Sequence, residues 1–160
     1  MKILIIGDTH NHPQGVKKAL EMTMPVDMII HTGDGWKDTE DIPDGVELVR
    51  VTGNCDRSMK GESEKIINLE GARIFITHGH KYNVKYDLNR LYYKALESKA
   101  NIVIYGHSHK RVSEKVGEIL FINPGSAWRP RDCEPPGFVL MKLEDGKTVF
   151  RFLDLAESEC

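Results

Sequence analysis

The 160-residue sequence has few cysteines, no long apolar run and no excess of charge of either sign, and each lack excludes a class of protein. Its three cysteines, Cys55, Cys133 and Cys160, are odd in number and widely spaced, so they form neither a disulfide framework nor a CxxC zinc knuckle. A reducing, cytoplasmic setting is the simpler expectation. Lys plus Arg total 22 against 24 for Asp plus Glu, a formal net charge of −2, which gives no basic surplus for a phosphate backbone and no acidic tail. The first apolar run, Ile3 to Ile6, stops at Gly7-Asp8, short of a secretory core, and no later stretch approaches a membrane span. Repeats, low-complexity tracts and linkers are also missing. A single domain over residues 1–160 is expected, long enough to bury a core without staples.

What is present begins with buried strands. Ile3 to Ile6 and Met28 to Ile30 are apolar throughout, as parallel strands covered on both faces are. Between them, Pro13 opens a helix with Asn11 or His12 near its cap, and Val16, Ala19, Leu20 and Met24 recur at helical spacing. Val46 to Val51 reads as a third strand, and Ile66 to Leu69 with Arg73 to Thr77 as a hairpin turning at Glu70-Gly71. Leu88, Leu91, Tyr92, Ala95 and Leu96 mark a second amphipathic helix. Strands follow at Ile102 to Tyr105, near Val112 to Val116, and at Ile119 to Ile122. The last two, Phe138 to Leu143 and Thr148 to Leu153, are joined at Asp145-Gly146. The first half thus mixes helices with parallel strands and the second is mostly antiparallel. The expected class is α/β, a sandwich of two sheets with helices outside.

One local event recurs. A strand ends and a short segment carrying Asp, Asn or His follows: Gly7-Asp8-Thr9-His10, Gly33-Asp34-Gly35, Gly53-Asn54-Cys55-Asp56, Thr77-His78-Gly79-His80 and Gly106-His107-Ser108-His109. Ligands of α/β sheets collect beyond the carboxyl ends of strands, so these segments are expected in one crevice. The seven histidines, at 10, 12, 31, 78, 80, 107 and 109, all lie in or near them. Carboxylate, amide and imidazole donors without a thiolate pair suit Mn²⁺, Fe²⁺, Co²⁺, Ni²⁺ or Zn²⁺. The donors are too many for one ion, and Asp34 has two oxygens with which to bridge a pair about 3.5–4 Å apart. With two carboxylates and a bridging hydroxide, such a pair keeps roughly one net positive charge, which attracts phosphate and holds a nucleophile ready at neutral pH. Gly7, Gly33, Gly53, Gly79 and Gly106 stand where the backbone is expected to turn sharply and approach other strand ends.

Asp8-x-His10, Gly33-Asp34, Gly53-Asn54, His78 and Gly106-His107-x-His109, in this order, resemble the calcineurin-like metallophosphoesterase superfamily. The short length and Asn123-Pro124-Gly125-Ser126 are similar to its small bacterial and archaeal phosphodiesterase branch, and the likeness runs from Met1 to about Arg131. It implies the four-layer α/β/β/α fold of that family, and a phosphodiesterase acting on a small phosphodiester through a metal-bound hydroxide. It further implies that Asp8, His10 and His109 hold one divalent ion, that Asn54, His78 and His107 hold a second, and that Asp34 bridges them. Mn²⁺ is the first candidate ion. Asp34, Asn54 and His107 are then the catalytic candidates, and Cys55 and His80 the substrate-contacting ones. The expected partner is a small phosphate ester; neither a membrane nor a nucleic acid is indicated, and assembly of identical chains stays open. Two departures stand out. Many members carry a proton-donating His after the Asn, where this chain has Cys55, a weak donor. The longer Gly-Asp-x-x-Asp-Arg-Gly pattern of protein phosphatases is absent at Gly33 to Trp36. The rival readings are a non-catalytic scaffold on the same fold, as in the eukaryotic retromer subunit, and a phosphomonoesterase.

Other residues have plainer readings. His31 is expected as a buried, hydrogen-bonded histidine and His12 as a helix cap. His80 either contacts substrate or packs under His78. Arg57, Arg129 and Arg131 are phosphate-clamp candidates that also read as surface cations. Trp36 and Trp128 either line an aryl or base pocket or simply pack. Asn123 to Ser126 is either a turn or a support for the site.

Overall fold

The computed structural model describes residues 1–155; Cys160 lies outside them. Ten strands and two longer helices run in the order β1 (Lys2–Ile6), α1 (Pro13–Thr23), β2 (Met28–His31), β3 (Glu47–Arg50), β4 (Glu64–Leu69), β5 (Ala72–Thr77), α2 (Asn89–Glu97), β6 (Ile102–Ile104), β7 (Arg111–Val116), β8 (Ile119–Pro124), β9 (Gly137–Glu144) and β10 (Lys147–Asp154). Short 3-10 turns at Trp36–Thr39 and His80–Tyr82 follow β2 and β5. Two five-stranded sheets result, ordered β10-β9-β1-β2-β3 and β4-β5-β6-β8-β7.

The alternation of side chains explains the layers. In β1, Ile3 and Ile5 face inward and meet Met28, Ile30, Ile74, Ile76, Ile104 and Ile122 between the sheets. Leu4 and Ile6 face outward and pack with Ile29 against Val16, Ala19 and Leu20 of α1. On the other sheet, Phe75, Val103 and Phe121 face outward against Leu91 and Ala95 of α2. Both faces of the central strands are therefore buried, which is why those strands read as continuous apolar runs. This is the expected two-sheet sandwich with one helix layer on each outside. Two helix positions differ from expectation: Met24 is the residue after α1 and 44% exposed, and Leu96 on α2 is 49% exposed.

The expected antiparallel character of the second half holds for its hairpins, β7/β8 and β9/β10, and the hairpin β4/β5 forms as expected just before the midpoint. The strands β5, β6 and β8 nonetheless run parallel, as β1, β2 and β3 do in the first sheet. The crossover through α2 and the β7 excursion make this possible, because a parallel neighbour needs a long return connection. Each sheet thus points three carboxyl ends at one edge of the sandwich. The hairpin turns Glu70-Gly71 (φ 46° and 81°) and Asp145-Gly146 (φ 48° and 74°) have two positive φ values each, matching the twist of their strands. Among the described residues, no helix is long and apolar enough to cross a membrane.

Candidate metal centre

The six parallel strand ends deliver the candidate donors to one place. Asp8 follows β1, Asp34 follows β2, Asn54 follows β3, His78 follows β5, and His107 and His109 follow β6. The end of β8 supplies Asn123 to Ser126. Non-glycine residues with positive φ are uncommon. Eleven occur among the described residues, and five of them are Asp8 (50°), His10 (46°), Asp34 (53°), His107 (69°) and His109 (59°). Such conformations persist where the surroundings dictate them and cluster at functional sites.

Two sets of donor atoms emerge. Asp8, His10 and His109 form one and Asp34, His78 and His107 the other; within each, the donor atoms lie within 4.8 Å of one another. In the first, His109 Nε2 is 3.2 Å from Asp8 Oδ1 and 3.1 Å from His10 Nε2. In the second, His78 Nε2 is 3.3 Å from Asp34 Oδ2, 3.2 Å from Asn54 Oδ1 and 3.2 Å from His107 Nδ1. Asp34 Oδ2 also lies 4.0 Å from His10 Nε2, so this carboxylate stands between the sets. His10, Asp34 and Cys55 make a third such group, on the exposed side. All seven expected ligands are brought together. Cys55 and His80 border them: the Cys55 amide donates to Asp34 Oδ1 at 2.7 Å, and the His80 ring centre is 5.3 Å from that of His78 and 6.1 Å from that of His107.

The hydrogen bonds behind the donors fix which lone pairs face inward. A carbonyl only accepts, so His109 Nδ1 must donate to Arg129 O (2.8 Å) and His78 Nδ1 to Thr32 O (2.9 Å). In a neutral ring each remaining Nε2 is a bare lone pair, and each faces carboxylate oxygen. Asp8 Oδ1 is buried without a hydrogen-bond partner. Lone pair against lone pair at this distance is unfavourable without a positive charge between them. The donor set therefore fits a divalent cation, with the carbonyl partners setting the tautomers as they do behind metal-bound histidines.

The electrostatics agree. Burial alone would lift the Asp34 carboxyl, but hydrogen bonding and charge from His78, with the Cys55 amide and thiol, hold it well below the usual carboxylate range. Burial disfavours the charged form of His78, yet Asp34 and Asp8 reverse this and raise its pKa: the carboxylates draw positive charge into the centre. Burial, then the charges of His78 and Lys85, bring His107 down to about 4, which leaves it neutral and free to ligate. Burial also lowers His10.

The loops beneath are held by residues that carry no lone pair into the centre. Asp56 Oδ2 accepts the amides of Asp34 (2.8 Å) and Gly53 (2.9 Å), and Oδ1 those of Gly35 (3.1 Å) and Trp36 (3.0 Å). Asp56 lies in a strand-end segment legible in the sequence, but only the three-dimensional structure reveals that it clamps two loops. A Cβ on Gly53 would stand 2.0 Å from Asp34 Oδ1, so a side chain there would displace the carboxylate. Asp56→Asn would turn an amide NH₂ toward two of the four N–H groups. It is expected to weaken metal affinity and kcat/KM by about 10–100-fold, as loss of an outer partner typically does. Calorimetric metal titration beside steady-state kinetics would check this; unchanged values would rule out the clamp.

The remaining histidines and the supporting loop resolve as follows. His31 is fully buried; its Nδ1 accepts from the Gly33 amide, and Nε2 reaches Thr9 Oγ1, which donates to Asp38. Burial brings His31 down to about 4, so it is the expected neutral core histidine. His12 occupies the N-cap position of α1, but its side chain makes no cap bond. Instead Nδ1 donates to His10 O and the ring stacks on Trp128. Asn123 Nδ2 donates to Gly106 O and Ser108 Oγ, and Ser126 Oγ to Asp8 O, so the β8 end supports the site.

The aromatic and cationic candidates divide. Trp36 packs, with the Arg50 guanidinium 3.9 Å over its ring, whereas Trp128 is 40% exposed. Arg57 Nε donates to Asn54 O; the side chains of Arg129 and Arg131 are exposed.

Comparison with known proteins bears on the chain as a whole. A family model described as the calcineurin-like phosphoesterase superfamily domain matches residues 1–146. The chain is 34% identical over 160 residues to the probable metallophosphoesterase YsnB of Bacillus subtilis, covering 99% of this chain and 94% of that one. It is 34% identical over 146 residues to the phosphodiesterase MJ0936 of Methanocaldococcus jannaschii, covering 78% and 83%. A predicted phosphoesterase from Streptococcus pneumoniae superposes with a TM-score of 0.82 at 28% identity, over 96% and 89% of the chains. Vps29 of Entamoeba histolytica, solved with Zn²⁺, superposes with 0.77 at 26%, over 98% and 100%.

Proposed function

This chain belongs to the calcineurin-like phosphoesterase superfamily, and from that premise we propose that it is a cytoplasmic phosphodiesterase that works with two divalent cations. The observation that carries the reading is the pair of donor sets with Asp34 between them. Asp8, His10 and His109 would hold one ion, Asn54, His78 and His107 the other, and Asp34 both. Mn²⁺ suits the donors, as do Ni²⁺, Co²⁺, Fe²⁺ and Zn²⁺. When bound, the ions supply an activated water as nucleophile and neutralise charge on the phosphoryl oxygens.

The chain's own residues do the positioning. Thr32 O and Arg129 O keep the Nδ1 protons of His78 and His109 turned away from the reacting groups. The Cys55 amide fixes Asp34 Oδ1 and leaves Oδ2 for the centre. The His107 amide does the same for Asp8 Oδ2. Cys55 and His80 border the place where the ester would lie. Burial and the neighbouring Asp34 push the Cys55 thiol up to about 11, so it holds its proton and carries no charge at neutral pH. With no imidazole at this position, protonation of the leaving group is weak, and esters with acidic leaving groups should react best.

A scaffold on the same fold is the second reading; retention of all seven donors supports catalysis. The deciding assay offers purified protein one aryl phosphodiester and one aryl phosphomonoester with each candidate metal. Faster turnover of the diester is expected. Turnover of neither, with metal bound, would favour the scaffold, and preference for the monoester would revise the substrate class.

A further inference from the structure

Trp128 is out of place among its neighbours. Ser126 is 1% exposed and Ala127 6%, yet the indole that follows is 40% exposed. It is nevertheless held in place. The His12 imidazole lies against it with ring centres 3.4 Å apart and planes 13° from parallel. Its amide and that of Arg129 donate to Ser126 Oγ (3.1 and 2.8 Å).

This stack is tied to each member of the Asp8, His10 and His109 set. Ser126 Oγ donates to Asp8 O at 2.8 Å, His12 Nδ1 to His10 O at 2.9 Å, and His109 Nδ1 to Arg129 O at 2.8 Å. The exposed Arg129 guanidinium carbon lies 6.0 Å from the centre of the indole ring. An exposed aromatic surface and a cation are therefore tied by hydrogen bonds to the residues that would hold the first ion. An immobilised indole loses little entropy on binding, and stacking a flat aromatic group on it is tolerant of that group's identity.

We propose that Trp128, backed by His12, is the surface on which the substrate carries a flat aromatic group, so that this enzyme prefers aryl- or nucleobase-bearing phosphate esters to alkyl ones. The proposal rests on the phosphoesterase reading and names its substrate class. Its aryl branch accords with the missing imidazole at position 55, since aryl leaving groups depart without a strong acid.

The test is calorimetric binding of methylphosphonate, phenylphosphonate and adenosine 5′-monophosphate to the Mn²⁺-loaded protein. The phenyl compound should bind about tenfold tighter than the methyl one, a typical stacking contribution. Trp128→Leu keeps apolar area without a π face and should bring the ratio near one; Trp128→Phe should keep most of it. A further gain for the adenine compound would assign the surface to a nucleotide, and no further gain to an aryl ester. A phenyl-to-methyl ratio near one in the wild type, an unchanged ratio in Trp128→Leu at full metal content, or no binding of any of the three overturns the proposal. Hydrolysis is read separately. A protein that shows the aromatic preference but cleaves nothing would refute the phosphoesterase reading alone.

Discussion

Asp34→Asn is expected to lower kcat/KM for a phosphodiester by about 10³-fold or more and to reduce bound metal below two ions per chain. The substitution is nearly isosteric, and the new amide oxygen can still accept the Cys55 N–H that Asp34 Oδ1 now accepts. What disappears is the charge on the oxygen between His78 and His10. Transition-state charge stabilisation at metal sites is worth several kcal/mol, and each 1.36 kcal/mol is a factor of ten. Asp8→Asn should cost less, because Asp8 Oδ1 faces only the His10 and His109 side. Elemental analysis with steady-state kinetics on both variants decides the matter. Two ions and a near-normal rate in Asp34→Asn would show that Asp34 does not serve both.

Cys55→His should change the chemistry in the opposite direction, and selectively. Wild-type rates should fall steeply as the leaving group becomes more basic, since a neutral thiol is a weak donor. General acid catalysis contributes typically about 10²–10⁴-fold where the leaving group is poor, and much less where it departs readily as an anion. A histidine that reaches the ester oxygen should therefore accelerate alkyl esters strongly and activated aryl esters little. It should also add a limb to the pH profile near the pKa of histidine. Cys55→Ser should change little, because the amide that holds Asp34 belongs to the backbone. The measurement is kcat/KM over a series of aryl and alkyl phosphodiesters for the three proteins. Insensitivity of the wild type to the leaving group, with loss of activity in Cys55→Ser, would make the thiol itself catalytic.

Much of this architecture was legible in the sequence because burial on two faces leaves an unambiguous mark. Ile3 to Ile6 reads as a buried strand, apolar throughout, and β1 is that strand, covered on both sides. Asp145-Gly146 announced its hairpin through two residues that tolerate positive φ, and Glu70-Gly71 through its glycine. The candidate donors were legible for a related reason: each follows a strand, and parallel strands place their ends together. The second sheet's parallel core was harder to see, since β6 is only three residues long and local hairpins dominate its surroundings.

Two features of the site depend on tertiary contact alone. Asp56 is one more acid in a turn until its four amide partners from two loops are known. His12 looked like a cap because it precedes Pro13, but Trp128, from the far end of the chain, claims its ring instead. The Met24 and Leu96 discrepancies lie at helix ends: Met24 is just past α1 and Leu96 is in the last turn of α2, and both are exposed.

The binuclear reading rests most directly on ion stoichiometry linked to turnover. The chain would be stripped with a chelator, verified metal-free by elemental analysis, and titrated with Mn²⁺ while bound ions and phosphodiester hydrolysis are followed together. The expected result is no turnover without metal and full turnover only as occupancy approaches two ions per chain, about one for each donor set. Full turnover in the verified metal-free protein, or saturation of activity at a single ion with no second binding event, would contradict it.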